Sequence, residues 1–181
     1  RERQSLEPLL ATPASRAALV GGKMLAAALL GLSSMLLILV SFKVSATLAS
    51  GIGAQMDVSF LAMGKLLLTL TPLVLIGTAL ITTLAAGAKS MKEAQSHIMW
   101  LMMLPMLPAY GLMAYPLKDT ALWQYAVPFL SQNQLIQKIT RGEAATLQQW
   151  GLYLVSSLAL AALLWALAMW RYRQEKLAIS A

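Results

Sequence analysis

An all-α, polytopic membrane protein is the fold class this sequence predicts, and three observations predict it. Of 181 residues, 59% are hydrophobic and only 12% charged, where a soluble domain carries roughly 25% charged residues. The apolar residues fall in continuous runs of the length a bilayer-spanning helix needs, about 20 residues. Short alternating strands, the mark of an outer-membrane barrel, are not the pattern. Lysine and arginine gather at the ends of those runs, where membrane insertion places them. So little charge excludes a soluble globular enzyme, and so much hydrophobicity excludes a disordered segment. The net charge of +7 belongs to the span ends, so membrane lipids are expected partners and nucleic acid is not. With no cysteine, disulfides, thiolate metal sites and thiol nucleophiles are excluded.

The elements follow in order as one transmembrane domain over residues 1–181. Residues 1–16 predict a short amphipathic helix. Ser5 caps it, Glu7 sits in a first turn that favours a carboxylate, and Pro8 is tolerated that early. Leu6, Leu9 and Leu10 share one face. Thr12-Pro13 restarts the helix, with the proline at a first helical position. The first span runs over about 19–48, around the uncharged stretch Met24 to Phe42. At 1.5 Å per residue that stretch measures about 28 Å, close to the hydrocarbon thickness. Lys23 and Lys43 flank it and snorkel to the two interfaces. A glycine-bearing loop with Asp57 leads to the second span, 61–88. The third, 94–117, carries Pro105 and Pro108, and the fourth is 146–170, with Trp150, Trp165 and Trp170 as aromatic anchors. Between the last two, 129–143 predicts an outer amphipathic helix. Ser131 caps it, Leu135, Ile136 and Ile139 share a face, and Gly142 closes it. It lies at the outer interface or dips into it.

Four spans put both chain ends on one side. Arg1, Arg3, Arg16, Lys23, Lys89, Lys92, Arg171, Arg173 and Lys176 lie on that side, against Lys43, Lys65, Lys118, Lys138 and Arg141 opposite. The excess places both ends in the cytoplasm. The chain begins at Arg1 with no signal-peptide pattern, and reads as an internal or C-terminal piece of a longer protein.

Catalytic chemistry is not expected. His97 is the only histidine, and Glu93 and His97, four apart, do not make a zinc site that needs three protein ligands. They read as interfacial polar residues at the start of a span. GxSxG and the phosphate-binding GxxxxGK[ST] are both absent, so no catalytic residue, metal or cofactor is assigned to this chain. No carboxylate lies deep in a span, so a proton relay of buried acids is not supported, and energy for any transport comes from elsewhere.

Transport features are more promising. In the second span Thr71, Thr78 and Thr82 share a face that offers hydroxyl oxygens to a permeating ion. The commoner use of such residues is bonding back to the preceding turn or joining helices. Pro72 frees the carbonyl of Leu68 and makes Leu68–Pro72 a candidate kink or ion contact. Pro105 and Pro108 break the third span near its middle among Met99, Met102, Met103 and Met106. Broken helices recur in transporters.

Two motifs carry a family resemblance. The segment Arg1-Glu2-Arg3-Gln4-Ser5-Leu6-Glu7-Pro8-Leu9-Leu10-Ala11-Thr12-Pro13 resembles the ERE-x-GT-LE-x-LL-x-TP segment of type-2 ABC exporter permeases, with Ser5 where Gly-Thr is frequent. Lys89-Ser90-Met91-Lys92-Glu93-Ala94-Gln95, followed by Met102-Met103-Leu104-Pro105-Met106-Leu107-Pro108, is similar to the NatB branch, the permease subunits of Na⁺-extruding ABC systems. Pro128, Asn133, Leu135 and Gly142 resemble that branch's outer helical segment. The resemblance covers most of the chain in the family's order and corresponds to its C-terminal part, without the first two spans and the large extracytoplasmic region.

The resemblance implies an inner-membrane export permease that works by alternating access with a separate ATPase, which would bind the ATP and Mg²⁺. It implies that the N-terminal helix couples to that ATPase, with Leu6, Leu9 and Leu10 as apolar anchors and Glu2, Arg3 and Glu7 as polar rim. The spans would rock around the proline-broken third helix, with Thr71, Pro72, Thr78, Thr82, Gln95, Pro105 and Pro108 as pathway or hinge. Na⁺ is the implied substrate; a lipid or drug-like molecule suits the apolar spans equally well. A homo- or heterodimer of permeases is expected. A structural membrane subunit without its own path is the alternative.

Overall fold

The computed structural model describes residues 16–48, 58–87, 90–113 and 120–179. The predicted N-terminal helix, with Glu2, Arg3, Leu6, Glu7, Leu9 and Leu10, lies outside them, as do Asp57 and Asp119. The described residues form helices α1 (Arg16–Leu48), α2 (Phe60–Gly87), α3 (Met91–Met103), α4 (Met106–Met113), a 3₁₀ turn (Leu122–Ala126), α5 (Leu130–Thr140) and α6 (Leu147–Ile179).

Three of these are long and apolar enough to cross a bilayer: Ala18–Leu48, Phe60–Ala85 and Leu147–Tyr172. They coincide with the first, second and fourth of the expected spans; the third was expected to be broken by proline. The stretch predicted as the third, 94–117, is divided at Leu104–Pro105 into helices of 13 and 8 residues. The cause is the one its sequence announced. Pro105 has no N–H for the i−4 ladder and its ring crowds the preceding turn. Leu104 N–H turns to the carbonyl of Leu101 instead, at 3.3 Å. Ser90 starts α3 as its N-cap, accepting from the Glu93 N–H at 3.2 Å.

Three contacts fix α1 against α2. Met24 packs with Ala79 and Ala168. Gly31 faces Val74, so closely that a Cβ there would stand 3.1 Å from Val74 Cγ1. Lys43 Nζ lies 5.0 Å from the centre of the Phe60 ring. Numbers rise along α1 as they fall along α2, so the two helices are antiparallel. Most of α1 faces outward; Leu30 is 70% exposed and Ile38 67%. A surface of that kind is compatible with hydrocarbon, not with water.

Helix α6 packs more extensively on α2 than any other element. Beyond Met63, the buried residues of α2 are Thr69, Pro72, Ile76, Ala79 and Thr83, at alternating steps of three and four. That 3.5-residue period is the seam of two helices that cross at a shallow angle. On α6 the matching face is Tyr153, Ser157, Ala161 and Ala168. Alanines at a helix contact let backbones approach where no hydrophobic effect drives association. The two helices run in the same direction, since Tyr153 meets Thr69, Trp165 meets Leu75 and Arg171 meets Thr83.

A second cluster caps the N-terminal part of α6. Tyr125 of the 3₁₀ turn, Leu135 of α5 and Tyr153 pack together, fully buried. Trp150 meets Tyr153 edge-on, with ring centres 6.2 Å apart. Helix α5 ends as expected at Gly142, which takes φ +72°, while Glu143 N–H reaches back to Lys138 O at 2.8 Å. Its start differs. Ser131 does not cap it but is buried, donating from Oγ to Val127 O at 2.9 Å. The N-cap is Phe129, at φ 69° and ψ −44°, held by its N–H to Gln132 Oε1 at 3.1 Å. A bulky residue at positive φ is a strained position that its surroundings must enforce.

Candidate functional site

The seam between α2 and α6 brings together most of the polar chemistry of the described residues. Five threonines line α2, and each hydroxyl bonds back within the helix: Thr69 to Lys65 O at 2.8 Å, Thr71 to Leu67 O at 2.8 Å, Thr78 to Leu75 O at 3.0 Å, Thr82 to Thr78 O at 2.7 Å and Thr83 to Ala79 O at 2.7 Å. The expected face of Thr71, Thr78 and Thr82 is thus half-buried and internally bonded. The face packed on α6 belongs to Thr69 and Thr83.

Pro72 is buried, and α2 continues through it to Gly87. Proline removes one ladder bond and disturbs the carbonyls of the turn before it. In a bilayer such groups must find a partner. The Tyr153 hydroxyl donates to the carbonyl of Thr69, one residue beyond the Leu68 carbonyl that Pro72 leaves without its ladder donor. Trp165 Nε1 donates to Leu75 O at 3.0 Å and Arg171 Nη1 to Thr83 O at 3.2 Å. Trp165 is therefore a half-buried link between helices, not the interfacial anchor expected of it. Trp170 is 53% exposed.

A buried polar node lies beside this seam. Gln124, Ser131, Gln132, Gln134 and Ser157 are all at most 9% exposed. Gln134 Nε2 donates to Gln124 Oε1 at 2.5 Å. Gln132 and Ser157 both approach the Tyr153 hydroxyl, yet Gln132 Nε2 and Ser157 Oγ have no hydrogen bond of good geometry. The amphipathic helix expected at an interface thus turns glutamines as well as leucines inward. Helices α2 and α4 and the 3₁₀ turn surround it, which leaves little of it facing water.

The proline break is tied to the same helix. Asn133 Nδ2 donates to Pro105 O at 3.2 Å and to Phe129 O at 2.9 Å. Pro105 and Pro108 are half-buried, whereas Gln95 is exposed on α3. Along the seam, Leu75, Leu158, Ala161, Ala162 and Trp165 line a cavity of about 410 Å³. Its lining is almost wholly apolar and suits hydrocarbon better than a hydrated ion.

Sequence reasoning missed Tyr153, Gln124, Gln132, Gln134, Ser157 and Arg171 as site residues. The signal was present in part, since uncharged polar side chains inside apolar segments are costly unless bonded. No group of three or more His, Asp or Glu that would hold a metal occurs among the described residues. The arrangement offers hydrogen bonding, apolar surface and a jointed helix. Among the described side chains it offers no nucleophile–base pair.

A model of the ABC-2 family transporter proteins matches residues 1–177. The ABC transporter permease protein NatB of Bacillus subtilis (strain 168) is 28% identical over 149 residues, 78% of this chain and 38% of that protein. The chain thus spans well under half the length of this curated relative. No solved structure matches. Helices that must lie in a membrane, two of them pinned through backbone carbonyls and a third broken by proline, agree with a match that runs nearly end to end: this chain belongs to the ABC-2 family of membrane transport permeases and is NatB-like.

Proposed function

We propose that this chain is the C-terminal membrane part of an ABC export permease in the inner (plasma) membrane. One observation carries the reading: the family match covers the N-terminal segment and all the described helices but the last two residues of α6. Residues 1–16 couple to a separate ATPase that binds ATP and Mg²⁺, with Leu6, Leu9 and Leu10 in its groove and Glu2, Arg3 and Glu7 around them. Both chain ends are cytoplasmic. Because α2 and α6 point the same way, the chain returns across the bilayer between them. The broken pair α3–α4 is that fourth crossing, and the hinge about which two permease copies alternate access. Na⁺ is the substrate in the NatB-like reading. The apolar cavity on the α2–α6 seam favours a second reading, a lipid or drug-like substrate.

The absence of cysteine in this chain makes the test clean. Leu9→Cys in the full-length permease is co-expressed with an ATPase carrying one cysteine in its surface groove. The expected result is an oxidative cross-link whose yield changes with ATP. Labelling of the same cysteine by a lipid-phase probe, with no cross-link, would leave a structural membrane subunit as the better reading. Uptake of ²²Na⁺ into inverted vesicles, ATP-driven and dependent on the pair, then separates Na⁺ from apolar substrates.

A further inference from the structure

We propose that Gln132 Nε2, Ser157 Oγ and Tyr153 Oη form a binding site for one ordered water molecule inside the membrane domain, at the joint made by Pro72. Three helices converge there: α2 through the Thr69 carbonyl, α5 through Gln132 and α6 through Tyr153 and Ser157. Gln132 is 2% exposed and Ser157 0%, and Gln132 Nε2 and Ser157 Oγ make no hydrogen bond of good geometry within the protein. Both lie beside the Tyr153 hydroxyl. Two orphan polar groups at one point in an apolar interior cost free energy, and the remedy proteins use is a buried water with about three partners. Ordered water is also one of the devices by which a proline in a spanning helix is accommodated.

The donor pattern selects water over a cation. Gln132 Oε1 is held by the Phe129 N–H at 3.1 Å, which fixes the amide and leaves its N–H side facing the site. A cation bound to Ser157 and Tyr153 would confront that N–H. A water accepts from Gln132 Nε2, donates to a lone pair of Tyr153 Oη, and exchanges a hydrogen bond with Ser157 Oγ in either sense. The Tyr153 proton is committed to Thr69 O, so its oxygen is available only as an acceptor. The water therefore continues a chain of hydrogen bonds from α5 to the backbone of α2. The inference does not depend on what the permease carries.

The test is an experimental density map of the full-length permease in lipid nanodiscs and sodium chloride, at a resolution that shows ordered water. The expected result is a peak within hydrogen-bonding distance of Gln132 Nε2, Ser157 Oγ and Tyr153 Oη that is lost in Ser157→Ala. No peak overturns the proposal. A peak that strengthens when thallous ion replaces Na⁺ is a cation and overturns it too. Unfolding midpoints give the second readout. Ser157→Ala lowers the midpoint by roughly 2–4 °C in the wild-type background and leaves it unchanged or raised in Gln132→Met, because there the water is already lost. A rise in both backgrounds means that the hydroxyl was simply unsatisfied, and the site falls. Should Gln132→Met fail to fold, the wild-type map decides alone.

Discussion

Trp165 donates its indole N–H to the carbonyl of Leu75, 90 residues earlier in the chain, at 3.0 Å. The same carbonyl accepts the Thr78 hydroxyl at 3.0 Å. One backbone oxygen thus serves as the meeting point of a spanning helix, its own threonine and its neighbour. Trp165→Phe should remove the interhelical bond while keeping an aromatic ring on the seam. A loss of about 1 kcal/mol is expected, somewhat less than in water because the separated helices find other partners. The thermal midpoint of the purified full-length permease checks it; an unchanged midpoint would show the bond to be incidental.

Gly31 tests the α1–α2 contact. A methyl at this position meets Val74 Cγ1 at 3.1 Å, while one at Gly22 meets nothing within 4 Å. Gly31→Leu should separate the helices and cost about 2 kcal/mol or more, in the range of overpacked cores. Gly22→Leu should be neutral or slightly stabilising through helix propensity. Cross-linking between cysteines placed at Met24 and Ala79 should fall in the first variant and persist in the second.

Gly142 occupies φ +72° at the end of α5. Gly142→Ala forces a side chain into the left-handed region and should cost about 1–2 kcal/mol. Faster backbone amide exchange over the last turn of α5, with α2 unaffected, is the expected sign.

Asn133 joins the proline break to the strained Phe129. Asn133→Leu keeps the volume and removes both bonds. The break should then move independently of α5. Amide exchange around Leu104–Met106 should rise about tenfold, the equivalent of roughly 1.4 kcal/mol of lost protection. Pro105→Ala works in the opposite direction. It restores a ladder donor, joins α3 to α4, and should weaken the ATP-dependent change in cross-linking at Leu9→Cys.

Much of this fold was legible because hydropathy and breaker residues act locally. The ends of α1 and α2 and the start of α6 follow from apolar runs, the α3–α4 division from Pro105, and the end of α5 from Gly142; α6 runs past its apolar stretch, through Arg171, to Ile179. The α2–α6 register was not legible. Helix α2 is apolar all round, so the 3.5-residue seam of Thr69, Pro72, Ile76, Ala79 and Thr83 does not stand out against a polar face. Thr71, Thr78 and Thr82 fit a helical face equally well, and only the packing partner separates the two sets. The node was hidden for another reason. Glutamines on a short amphipathic helix read as water-facing until α2, α4 and the 3₁₀ turn are seen to surround it.

The bonds between α2 and α6 have a consequence for synthesis of the chain. They join residues 84, 88 and 90 positions apart. At about 5–20 residues per second, a ribosome needs roughly 4–18 seconds to make the later partner. During that interval the carbonyls of Thr69, Leu75 and Thr83 are without their α6 donors, and the Leu68 carbonyl lacks the N–H that Pro72 cannot supply. A helix short of these partners is expected to stay at the translocon, or beside a chaperone, until α6 emerges. A truncation ending before Tyr153 should therefore be held there and degraded quickly, although every residue of α2 is present.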